Sequence, residues 1–162
     1  ESVWDIKEKI GYLTSTMSQQ FSRLDSIEKM VISGYFDSIG LYITPTDTQI
    51  QLARQWLKLI GLYDKRQKPF LSFSLGHQRL ILIVRAMVKH PPLLILDEPT
   101  AGLDDDDTAL FTALVNKIAA ESTTAILYVS HRKEVGLRPK FIFELKAGNQ
   151  GSIGIINKKV SS

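Results

Sequence analysis

No cysteine occurs among the 162 residues, so disulfides, thiolate metal sites and cysteine nucleophiles are excluded, and a reducing compartment suits the chain. No apolar run approaches the length of a membrane-spanning helix, and no charged-then-apolar leader is present, so a water-soluble chain is expected. Charge of one sign does not dominate. The 20 Lys and Arg against 17 Asp and Glu leave +3, with no basic run or basic-aromatic interleaving of the kind that tracks nucleic acid. The three histidines lack metal-ligand spacing. None of the ten glycines belongs to a G-x-x-x-x-G-K-[ST] segment, so no loop of backbone N–H groups cradles a phosphate and no lysine accompanies it. What is present is 44% hydrophobic and 23% charged, enough to build a sizeable core as one domain or two subdomains.

Against those absences stands Leu93-Leu94-Ile95-Leu96-Asp97-Glu98-Pro99, an apolar run that ends in two carboxylates and a proline. A run this short and apolar predicts a strand buried on both faces of a parallel sheet, stopped by Pro99. Its acids would then lie at the strand's C-terminal end, where open α/β sheets place their ligands. Adjacent acids suit nucleoside triphosphate hydrolysis: Asp97 can hold Mg²⁺ through its water shell while Glu98 polarises the attacking water. The plain alternative is a strand-to-helix loop with two solvated acids.

The neighbours bear on the choice. Ala101-Gly102-Leu103-Asp104 precedes a helical segment and a second apolar run, Ala125-Ile126-Leu127-Tyr128-Val129, which ends in Ser130-His131. Strand, helix and strand at this length make one βαβ unit, so Asp97, Glu98 and His131 are expected at one sheet edge. There an imidazole can hydrogen-bond a terminal phosphate or the attacking water. Upstream, Phe73-Ser74-Leu75-Gly76-His77-Gln78-Arg79 leads into the nearly continuous apolar stretch Leu80 to Val88. Ser74 reads as a helix N-cap, and a helix N-terminus with a nearby glycine is a natural anion site.

These four elements, in this order, resemble the C-terminal part of an ABC-type ATPase domain. FSLGHQR stands for the LSGGQ signature, LLILDEP for Walker B, AGLD for the D-loop and SHR for the switch-histidine loop. Within that family, GYFDSIGLY at 34–42 and RLILIVRAMVKHP at 79–91 are most similar to the second ATPase domain of the molybdenum-transport-associated ModF/PhrA-type proteins. The resemblance implies an α/β fold: an incomplete P-loop NTPase (ABC ATPase) core, a helical signature subdomain and a C-terminal β-hairpin. It implies ATP and Mg²⁺ as cofactors, with Asp97 on Mg²⁺ through water, Glu98 as catalytic base and His131 as the γ-phosphate switch. Because two such domains pair head to tail, Ser74, Gly76 and His77 would serve the nucleotide of a second ABC ATPase domain, in the same chain or a dimer. Asp104 would lie at that interface. Ser15, within Ile10-Gly11-Tyr12-Leu13-Thr14-Ser15, occupies the position of the family's Q-loop glutamine, through which a transmembrane permease subunit would be coupled.

Departures from the family pattern accompany the resemblance: Leu75 replaces the first signature glycine and His77 its glutamine. The missing P-loop would belong upstream of Trp4, and the chain begins with Glu1, so the expectation is a piece of a longer protein that lacks the phosphate-gripping half of its own site. Such a piece is expected to be inactive alone and to self-associate through the strand at Leu93 to Leu96, which would have lost one or more neighbours. The expected location is cytoplasmic, at the inner face of the plasma membrane if a permease partner exists.

Residues 25–90 read as the helical signature subdomain and 91–162 as the C-terminal part of the nucleotide-binding core, with the break at Pro91-Pro92, all within one partial domain, 1–162. Thr46-x-x-Gln49 predicts a capping box, and Ile50, Ala53, Trp56, Leu57 and Ile60 give helical spacing up to Gly61, a C′ residue. Phe141 to Leu145 and Ile153 to Ile156 flank Ala147 to Gly151 as a hairpin. Asp104 to Asp107 could be taken for a cation site, but a helical stripe of Leu110, Phe111, Leu114, Val115 and Ile118 follows, so first-turn acids are the simpler reading. His90 reads as a helix-end residue. Two other functions share these motifs: a soluble ABC ATPase of repair or translation type, and a regulatory nucleotide-binding module without turnover.

Overall fold

The computed structural model describes residues 6, 9–21, 25–148 and 151–158. Trp4 and the hairpin-loop residues Asn149 and Gln150 lie outside them.

The DEP-ending run forms the middle of a three-stranded parallel sheet: β1 (Ile10–Thr14), β2 (Leu93–Asp97) and β3 (Ala125–Val129), in that order across the sheet. Its register aligns Thr14 with Asp97 and Asp97 with Val129, so all three strands end level with one another. β1 was not anticipated as a strand, and it changes the expectation for β2, which is paired on both sides instead of missing a neighbour. The expectation of burial on both faces also fails. Leu94 and Leu96 are fully buried, but Leu93, Ile95 and Asp97 are only half-buried. The reason is that the helices cover one face only. On the other face Tyr12, Leu127 and Val129 are exposed, and among the described residues no element lies over them.

Four α-helices lie wholly within the described residues: α1 (Ile27–Ile32), α2 (Asp47–Leu59), α3 (Leu75–Met87) and α4 (Asp105–Glu121). Within residues 25–90 the helices are separated by short 3-10 turns and an irregular connection before α2. α2 starts in the expected capping box, with Gln49 N–H donating to Thr46 Oγ1 and Thr46 N–H to Gln49 Oε1. It ends at Gly61, whose φ of +71° suits a residue without Cβ. α3 is buried almost all round, as its apolar sequence requires, and it packs against β1, α1 and α4. Two guanidinium groups are buried with it. Arg79 Nη1 donates to Ser18 Oγ at 2.9 Å, and Arg85 reaches Ser33 Oγ and the Ser38 carbonyl. Burial lowers the pKa of both. α3 ends with Val88 as its C-cap, and His90 follows in left-handed backbone, φ +49°.

Leu13, Leu94 and Leu96 from the sheet, Ile81 to Met87 from α3, Phe111, Val115 and Ile118 from α4, and Leu57 from α2 share one continuous core. Leu110, placed in the buried stripe of α4 by its spacing, is instead exposed, because the core-facing arc of α4 runs through Phe111, Leu114, Val115 and Ile118. The hairpin forms as expected, with longer strands, β4 (Phe141–Gly148) and β5 (Gly151–Lys158). It stands as a separate two-stranded sheet, and Phe141, Phe143, Leu145, Ile153 and Ile156 are all exposed.

Candidate active site

The chain turns sharply where β2 ends. Glu98 takes a left-handed φ of +47°, uncommon for a residue with a side chain, and Pro99 prevents the strand from continuing. Two backbone bonds hold the turn: Glu98 N–H donates to the Val129 carbonyl at 2.9 Å, and Ala101 N–H to the Glu98 carbonyl at 3.1 Å. The side chain is thereby aimed across to the end of β3. Glu98 Oε1 accepts the His131 backbone N–H at 2.6 Å, and His131 Nε2 lies 3.5 Å from the same oxygen. Glu98 is three-quarters shielded, whereas the His131 ring is 95% exposed and can meet a ligand from solvent. Asp97 precedes them at the strand's end, half-buried, and among the described residues its carboxylate accepts no hydrogen bond. Those free oxygens fit a water-coordinated Mg²⁺. Ser15 follows Thr14 of β1 into the same edge through the Thr14 to Asp97 register. The acids and the histidine thus meet at the C-terminal edge of a parallel sheet.

Behind this edge lies a polar cluster that the sequence did not single out. Glu134, with its side chain only 4% exposed, accepts Thr100 Oγ1–H at 2.7 Å and Ser130 Oγ–H at 3.1 Å, and Arg132 Nε sits 3.4 Å away. Tyr128 OH lies 3.4 Å from Thr100 Oγ1. Burial pushes the Tyr128 phenol up to about 12. A lone acid three residues past a histidine gives no sequence signal of this kind. Only the fold shows which hydroxyls it faces.

The signature residues form a second group at the N-termini of α3 and α4. Ser74 N-caps α3, its Oγ accepting His77 N–H and lying 2.8 Å from His77 Nδ1, so His77 is engaged inside its own motif. These two residues, with Lys65, Lys68, Ser72 and Phe73, line an open cleft of about 280 Å³. Gly76 is buried, and a Cβ there would stand under 3.0 Å from the Asp107 carboxylate, so a larger residue would have to displace that side chain. Asp104 N-caps α4, its Oδ1 accepting Asp107 N–H at 2.8 Å, with Asp105 to Asp107 in the first turn. First-turn acids are what the helix dipole favours, and no group of three acids or histidines that could hold a metal occurs among the described residues. Leu75 adjoins the AGLD turn, with its Cδ2 at 3.6 Å from where a Gly102 Cβ would be. Among the described residues no side-chain hydrogen bond joins this group to Glu98 or His131.

Comparison with known proteins gives the family and the fold. The family described as ABC transporter matches residues 1–101. Over 136 residues the chain is 47% identical to the ABC transporter ATP-binding protein ModF of Escherichia coli (strain K12), covering 83% of this chain and 28% of that protein. Over 128 residues it is 27% identical to the molybdate import ATP-binding protein MolC of Haemophilus influenzae, covering 79% of this chain and 50% of that one. Among solved structures, cbiO1 from Clostridium perfringens, part of the ABC transporter complex cbiONQ, superposes with a TM-score of 0.73 at 26% identity, covering 86% of this chain and 54% of that one. The chain therefore spans half or less of the length of the curated relatives it is compared with here.

Proposed function

The chain belongs to the ABC transporter family of ATP-binding proteins, and from that premise we propose that its sheet edge is the hydrolytic half of an ATP site. The observation that carries the reading is the Glu98 to His131 pair beside a free Asp97, level with one another at the C-terminal edge of β2 and β3. Asp97 would hold Mg²⁺ through water, and the ion would neutralise phosphate charge. Glu98, shielded and aimed along the edge, accepts the proton of the attacking water. His131, exposed, donates a hydrogen bond to the terminal phosphate. Backbone donors and a lysine for the other phosphates have to come from outside these 162 residues.

In the same reading Ser74, Gly76 and His77 face the nucleotide of a second ATPase domain, and Asp104 lies at the contact between the two. Residues 25–90 serve as the signature-bearing subdomain, and Ser15 lies toward a permease subunit. ATP binding would pair the domains and hydrolysis release them, at the cytoplasmic face of a membrane. Molybdate is the proposed cargo of the system, on the similarity to a molybdate import protein. A second reading, nucleotide binding without turnover, is favoured by one feature: the Asp107 carboxylate lies across Gly76, a negative charge where a partner's phosphate would approach.

Calorimetry distinguishes the parts. The 162 residues alone should bind Mg-ATP weakly, because they lack the loop that supplies most phosphate contacts; submicromolar binding would contradict the division of labour. In the longer protein carrying a P-loop, Asp97→Asn should raise the Mg²⁺ concentration needed for hydrolysis. An unchanged Mg²⁺ requirement would remove Asp97 from the site.

A further inference from the structure

Two loops must keep their relative position for Glu98 to reach His131: the turn 98–101 after β2 and the segment 130–134 after β3. The contact between Glu98 and His131 is a single carboxylate oxygen on an amide and a ring, and the ring is almost wholly in solvent. Such a contact does not fix two loops by itself. Glu98 is moreover held at φ +47°, a conformation that persists only where surrounding bonds over-determine it.

The over-determining group is Glu134. Its carboxylate is nearly inaccessible, and Oε1 collects Thr100 Oγ1–H, two residues past Glu98, and Ser130 Oγ–H, one residue before His131. Arg132 closes the same ring of contacts, its Nε 3.4 Å from Glu134 Oε1 and its Nη2 3.5 Å from both the Thr100 carbonyl and Oγ1. Thr100 is itself 1% exposed, so its hydroxyl has no solvent to replace Glu134. A carboxylate this shielded is costly unless its acceptor sites are filled, and hydrogen bonds to a charged group are the stronger kind.

We propose that Glu134 is a positioning residue, whose carboxylate clamps the Glu98 turn to the His131 loop and so sets the distance between the two groups. The assignment rests on the proposed roles of Glu98 and His131 for its functional meaning. The clamp itself can be measured without them. The Glu134 carboxylate is taken up by Thr100, Ser130 and Arg132 behind the edge, so its loss would act through the orientation of the two loops.

Amide hydrogen exchange of the 162-residue chain reads the clamp directly through the His131 N–H, whose acceptor is Glu98 Oε1. Glu134→Ala should speed exchange at His131 by about tenfold or more, the size of a lost charge-assisted hydrogen bond, with exchange at Leu94 to Leu96 unchanged. Thr100→Val, which keeps shape and removes one donor, should give a smaller change in the same direction. Glu134→Gln, which keeps an acceptor oxygen, should restore most of the protection. If Glu134→Ala does not fold, Thr100→Val and Ser130→Ala carry the same comparison. In the longer protein, Glu134→Ala should lower kcat about tenfold or more while the KM for ATP stays within about twofold. Unchanged His131 exchange in the folded variants, or equal acceleration throughout β2 and β3, would overturn the clamp. Accelerated His131 exchange with no change in kcat would instead keep the clamp and remove the catalytic role of the Glu98 to His131 pair.

Discussion

Gly34→Ala tests how closely the 3-10 turn after α1 must approach α3. Gly34 has ordinary backbone angles, so alanine brings no conformational strain of its own. The added Cβ would stand under 3.0 Å from the Arg85 carbonyl oxygen and 3.0 Å from both Arg85 Cγ and Val88 Cγ2. A carbonyl within α3 cannot rotate away, so the turn and the helix must separate. That separation also pulls on the bonds from Arg85 to Ser33 Oγ and the Ser38 carbonyl, at 3.3 and 2.8 Å. Overpacking costs about 1–3 kcal/mol, and a rigid backbone neighbour places this site toward the top. Against it stands about 0.4–1 kcal/mol gained because alanine restricts the unfolded chain. The net loss is about 2 kcal/mol, which for a chain of this size lowers Tm by about 4–8 °C. Thermal unfolding followed by circular dichroism, with urea titration as a second measure, reads it. A Tm within about 1 °C of the parent chain would refute the close approach.

Asp104→Ala removes the cap of α4 and should cost about 1 kcal/mol, seen as a lower urea midpoint at unchanged slope. Tyr128 should ionise at about 12 while an unfolded tyrosine ionises near 10, so stability is whole below pH 10 and declines as pH rises toward 12; absorbance at alkaline pH should lose its latest phase in Tyr128→Phe. The apolar sheet face bearing Tyr12, Leu127 and Val129, with the exposed hairpin residues, should make the chain associate as concentration rises; light scattering from a monodisperse monomer at high concentration would contradict this.

Where local chemistry decided structure, the sequence was readable. The Thr46 to Gln49 box, the left-handed Gly61, the Ser74 cap and the strand-helix-strand order around Asp97 each follow from a few neighbouring residues, and each is present. β1 was missed because Ile10 to Thr14 is short and contains Gly11; what makes it a strand is the register with β2, more than 80 residues away. The burial of β2 on both faces was over-read because an apolar run tells how well a strand tolerates burial, not which layers are present to cover it. The acidic pair and His131 were legible as types at a spacing. The Glu134 clamp was not, since hydroxyl partners at 100 and 130 have no sequence periodicity.

The central claim is that Glu98 takes the proton of the attacking water, and the direct test is single-turnover hydrolysis by the P-loop-bearing protein with Glu98→Gln. Glutamine keeps the size of the side chain and leaves the Asp97 carboxylate untouched. ATP should bind as before, and the hydrolysis step should slow by about 10²-fold or more. Hydrolysis at the unsubstituted rate would make Glu98 a solvated acid in a strand-to-helix turn and contradict the assignment of this edge as a hydrolytic site.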